Sequence, residues 1–142
     1  MISITWSDWR EIHKAADHKG CAVYRIRLCN QKTPVRISRF LEVDNDGLLC
    51  IGKTTGMESR RKQFVNALVG KGAHSEGYLL RLLEQESSLS AAYPGREYQY
   101  SFAKVARGQE DETEEELIKA YVKQFGEVPP LNSAIPNRLG DW

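Results

Sequence analysis

The sequence predicts an α+β fold: a small antiparallel β-sheet of about three main strands, flanked by helices. Three observations lead there. CAVYRIRLC at 21–29 alternates, with Ala22, Tyr24, Ile26 and Leu28 on one face and Val23, Arg25 and Arg27 on the other. LLCIG at 48–52 and EYQYSFAKV at 97–105 read as two more strands. Between and after them lie stretches with apolar residues at helical spacing.

The elements follow in order. Ser7 can cap a first helix over about residues 7–18, with Trp6, Trp9, Ile12, His13 and Ala16 along one stripe, and Gly20 ends it. The strand at 21–29 comes next, then a turn at NQKTP. VRISRFLEV reads as an extra extended segment, and Asp44-Asn45-Asp46-Gly47 as a turn. A helix is expected from Met57 to Val69 and another from a Ser75 cap to about Glu86, with Tyr78, Leu79, Leu82 and Leu83 as its apolar face. Thr113 and Glu116 are spaced as a capping box for a helix from Glu114 to about Phe125, which Gly126 stops. Pro129-Pro130-Leu131-Asn132 opens an extended tail.

A chain of 142 residues with 41% hydrophobic and 27% charged residues suits one globular domain, here residues 1–142 with a core over about 20–133. No apolar run approaches a membrane span, so no membrane partner is expected. The N-terminus lacks a basic region followed by an apolar core, and three cysteines without a CxxC pair do not make a disulfide framework. A reduced, cytoplasmic setting is the expectation. Net charge is only +1, yet residues 52–81 are locally basic and residues 109–127 locally acidic.

No HExxH occurs, and the three histidines are scattered. Gly52-Lys53-Thr54 closes a buried strand, and no phosphate-cradling P-loop is expected there. On the residues alone, Tyr24 reads as core, Arg60 and Arg61 as helix residues in solvent, and Glu114 as a carboxylate favoured by a helix N-terminus. Trp6, Trp9 and Trp142 read as packing residues.

Four pieces, in order, resemble the GIY-YIG nuclease superfamily over residues 20–133. They are AVY at 22–24, CIG at 50–52, KTTGMESRR at 53–61 with Arg60 eight residues after Gly52, and EEELIKAY at 114–121 followed by PPLN at 129–132. The resemblance implies a metal-dependent DNA endonuclease. It makes Tyr24 the general base, Arg60 the group that stabilises transition-state charge, Glu114 the ligand of Mg²⁺ or Mn²⁺, and Asn132 a positioning residue. A free tyrosine titrates near about pH 10, so a cationic neighbour is needed, and Lys53 is the expected one, or else a phosphate contact. Arg61, Lys62 and His74 are expected on the DNA side.

Departures from the pattern are Ala22 for the first glycine, Cys50 for the second tyrosine, Phe64 one helical turn after the arginine, and a long spacer between the motifs. They leave an alternative: a catalytically inactive GIY-YIG-like domain that binds nucleic acid or protein.

Overall fold

The computed structural model describes residues 3–71 and 75–132, the side chains of 75–78 excepted. His74 and Trp142, singled out above, lie outside the described residues.

The central strand is β2 (Ala22–Asn30), and it carries the sheet. β7 (Arg96–Lys104) runs antiparallel to it along its whole length, from Ala22↔Lys104 to Asn30↔Arg96. On the other side β6 (Leu48–Thr54) pairs from Ala22↔Thr54 to Arg27↔Leu48, with a bulge at Leu49. Two short strands complete the sheet: β1 (Arg10–Glu11) on β7 and β3 (Thr33–Pro34) on the end of β2. The extra segment between the motifs forms a separate hairpin of β4 (Ile37–Ser38) and β5 (Val43–Asp44). The α+β class and the three main antiparallel strands are as expected.

The alternation along β2 divides the core. Ala22, Tyr24, Ile26 and Leu28 pack with Tyr98, Tyr100 and Phe102 of β7 against α1 (Met57–Leu68) and α2 (Ser75–Gln85), through Met57, Phe64 and Leu80. The opposite face of β6, through Leu48 and Ile51, packs on Ile118, Tyr121 and Phe125 of α4 (Glu110–Phe125). A short α3 (Ser88–Ala92) leads into β7. Among the described residues no helix is long and apolar enough to cross a membrane.

Two expected boundaries are corrected. No helix forms over 7–18. β7 would otherwise present an open edge, and residues 7–12 satisfy it: Ser7 N–H donates to Phe102 C=O at 2.8 Å, Ile12 N–H to Tyr98 C=O at 2.9 Å, and the Ser7 hydroxyl accepts from Phe102 N–H at 3.0 Å. The apolar residues are buried anyway, with Ile12 and Ala16 in the core, so their spacing fitted either geometry.

α4 begins at Glu110, four residues early. Glu110, Asp111 and Glu112 fill its first turn, where the helix dipole favours them. Thr113 is no cap; its hydroxyl donates back to Gln109 C=O at 2.7 Å. Glu114 therefore sits beyond the first turn. The expected stop holds, with Gly126 at φ 82° as C-cap.

Gly47 to Thr54 does satisfy G-x-x-x-x-G-K-T letter for letter. No P-loop forms because Leu48–Thr54 is strand, its backbone paired with β2 instead of turned toward an anion.

Candidate functional site

Tyr24 and Gly52 are direct partners across β2 and β6. The tyrosine ring lies over the glycine: a Cβ at position 52 would stand 2.3 Å from Cζ and 2.4 Å from the hydroxyl oxygen. Absence of a side chain at 52 is what lets the ring cross the strand. β6 then turns through Thr54-Thr55-Gly56, where the Thr54 hydroxyl bonds the backbone of Gly56, into α1. One turn into α1, Arg60 comes back over the same spot. Its Nε–H donates to the Tyr24 hydroxyl at 2.8 Å, and its guanidinium lies 5.8 Å from the tyrosine ring centroid. Nη1 donates to Gln63 Oε1 at 3.2 Å.

Asn132 holds β6 from its outer edge. Its Oδ1 accepts from Ile51 N–H and its Nδ2 donates to Ile51 C=O, both at 2.9 Å. Leu131 N–H adds a bond to Leu49 C=O at 2.8 Å. The strand next to Gly52 is thereby fixed on both sides.

Lys53 is not the neighbour of Tyr24. It is the register partner of Val23, so it leaves the sheet on the opposite face, where it makes an ion pair with Asp111 of α4. The cation beside the phenol is Arg60. The Lys53–Asp111 pair seats the first turn of α4 beside the end of β6, and Glu114 follows about one turn on, 9% exposed.

Arg61, expected to contact DNA, is instead turned into the protein. It is 8% exposed, donates to Ile12 C=O at 2.9 Å, and grips Glu58 with Nε at 2.8 Å and Nη2 at 2.6 Å. Glu58 accepts in addition from Ala16 N–H at 2.9 Å. The Arg61 hydrogen bonds hold the Glu58 carboxyl down at about 2, against a partial burial that works the other way. Lys62, the next residue, is exposed. Cys50 and Phe64 are core residues, and Phe64 meets Tyr98 edge-on at 6.2 Å.

Among the described residues no group of three or more histidines, cysteines or carboxylates could cage a metal. A single carboxylate, Glu114, suits an ion that keeps most of its water, as Mg²⁺ does, and not one that needs a full set of protein ligands. Under the Tyr24 ring a void of about 10 Å³ touches Arg60, Met57 and Phe64, too small for any substrate. Whatever this site meets must approach from outside, over Arg60.

Two features escaped the sequence reading. Gly52 as the space for Tyr24 was readable once the two strands were paired. The parity of β6, which puts Lys53 opposite to Gly52, was readable from the strand period alone. Comparisons with protein-family models, with curated proteins and with solved structures gave no match.

Proposed function

We propose that the chain is a metal-dependent DNA endonuclease of the GIY-YIG type, built around the Tyr24–Arg60 pair over Gly52. The observation that carries this reading is the 2.8 Å hydrogen bond from Arg60 to the tyrosine hydroxyl, at the junction of the two motif strands and the motif helix. A core tyrosine needs no arginine, and an arginine in solvent needs no tyrosine.

The residues divide the work as follows. Tyr24 acts as its phenolate: it takes a proton from the attacking water and becomes the neutral phenol, and donation from the Arg60 guanidinium stabilises the phenolate that the step starts from. The rest of the Arg60 fork remains to neutralise charge on the phosphate as it is attacked. Asn132 keeps Ile51 and hence Gly52 in register under the ring. Lys53, bound to Asp111, anchors α4 and with it Glu114. Glu114 would hold the Mg²⁺ or Mn²⁺, which supplies Lewis-acid stabilisation of the phosphate when bound.

Plasmid nicking tests the proposal. Wild type with Mg²⁺ or Mn²⁺ should relax supercoiled DNA, and Glu114→Ala should not. A second reading, a binding domain without catalysis, draws on the 2% exposure of Tyr24 and on the core positions of Cys50 and Phe64. Absence of nicking with supercoiled, branched and single-stranded DNA would decide for it.

A further inference from the structure

The face of β2 turned away from Tyr24 carries a stack that none of these roles uses. Arg25 and Arg27 leave the strand there, two residues or about 6.6 Å apart. Trp9 lies against both, with its ring centroid 4.5 Å from the Arg25 guanidinium carbon and 4.1 Å from that of Arg27. Trp6 covers Arg25 as well, at 4.2 Å.

The two arginines differ in what satisfies them. Arg27 donates twice to Gln99 Oε1, at 2.9 and 2.7 Å. The Arg25 side chain makes no hydrogen bond among the described residues, and its Nε is buried without a partner. Burial pulls the Arg25 pKa down, Asp46 nearby opposes that and Arg27 adds to it. Holding a guanidinium partly out of water with its Nε–H unsatisfied is costly. A stack that served only to pack the N-terminal segment would do better with a second glutamine, as at Arg27, or with an apolar side chain.

Trp6 also borders an open cleft of about 480 Å³ lined by Arg10 and Lys104 over a largely buried Phe102, against one carboxylate, Asp17, itself 3.6 Å from Arg10. Aromatic rings alternating with cations suit a polynucleotide strand, whose bases have flat faces and whose backbone is anionic. An acidic peptide would use the cations and leave the rings idle.

We propose that Arg25, held between Trp6 and Trp9, receives a backbone phosphate of a single-stranded nucleic acid, with a neighbouring base stacked in the cleft beside Trp6. A planar fork clamped by two indoles is preorganised for an anion in a way a lysine is not. Arg25 lies on the opposite face from Tyr24, while the cleft opens at the β7 edge, where Phe102 and Lys104 belong to the Tyr24 face; Trp6 borders both, and the site does not depend on the nuclease reading.

Fluorescence anisotropy of a labelled oligothymidylate tests it, with the full chain at low salt and with EDTA present, so that cleavage plays no part. Wild type should bind. Arg25→Lys and Trp6→Leu should each weaken binding by about tenfold. Lys104→Ala, at an exposed strand end, should weaken it and lower the salt slope by about 0.7, while Lys123→Ala on α4 should change nothing. Circular dichroism checks that each variant is folded, and Lys104→Ala keeps the test valid if the stack variants are not. No binding by wild type would overturn the proposal. So would unchanged affinity in the Arg25, Trp6 and Lys104 variants, loss confined to Arg60→Ala, or competition by polyglutamate as effective as by unlabelled oligonucleotide.

Discussion

Gly52 and Tyr24 share one volume: the ring of the tyrosine fills the space that a side chain at 52 would need, with Cζ 2.3 Å from the position of a Cβ. Gly52→Ala must push the ring off the strand and break the bond to Arg60. A loss of about 1–3 kcal/mol is expected from urea unfolding, in the range for overpacking. In the Tyr24→Ala background the same substitution should cost far less, because the clash is gone. Equal costs in the two backgrounds would show that the ring is not what glycine accommodates.

Arg60 separates chemistry from stability. Its Nε bond to Tyr24 contributes about 1 kcal/mol to folding. In the proposed mechanism its place on a developing phosphate charge would contribute more, about a hundredfold in rate or above. Arg60→Ala should therefore abolish nicking while costing only about 1 kcal/mol in urea unfolding, and Arg60→Lys keeps the charge and should still fail for want of the fork. Full activity in Arg60→Ala would remove the arginine from the mechanism.

Arg61, one residue on, should behave in the opposite sense. Removing it strands the Glu58 carboxylate, and breaking a largely buried pair costs about 3 kcal/mol. The same pair sets an acid limit. Glu58 is held near about 2, below its unfolded value, so its contribution is complete above the ordinary glutamate range and is lost as pH falls from there through about 2. Unfolding measured from neutral pH downward should show this slope in wild type, and Glu58→Gln should flatten it. Lys62→Ala should leave stability unaltered.

The basic run at 60–62 shows how far the sequence could be read. Three adjacent cations have three fates: one on a tyrosine, one in a buried ion pair, one in solvent. Helical phase puts Arg61 on the stripe with Met57 and Phe64, so its burial was in the pattern; its carboxylate partner, three residues back, was too. The strands at 22–30, 48–54 and 96–104 and the stop at Gly126 were equally legible, because period and turn chemistry agree there. Residues 7–12 were not, since they are held by pairing with β7 about ninety residues away, and no local window contains that partner. The stack of Trp6, Arg25, Trp9 and Arg27 was hidden for the same reason. Lys53 was misplaced by counting residues along the chain where strand parity decides the side.

Asn132 offers a local test of the sheet. Asn132→Ala removes both bonds to Ile51 and should cost about 1–2 kcal/mol. The Ile51 amide should then exchange with solvent much faster, while amides of β7 keep their protection. Asn132→Asp retains an acceptor for the Ile51 N–H but sets a carboxylate against the Ile51 C=O, so it should be no better than alanine.

The partner that closes the outer edge of β6 lies 81 residues farther along the chain than Ile51. During synthesis the strand that carries Gly52 is made early and its cover is made late. At about 5–20 residues per second, translation leaves that edge open for several seconds to a quarter of a minute. A nascent chain with a bare, apolar strand is a template for pairing with its neighbours on the same message. The few residues after Gly126 thus act as a clock as well as a clasp: how soon they emerge sets how long each new molecule can join to another.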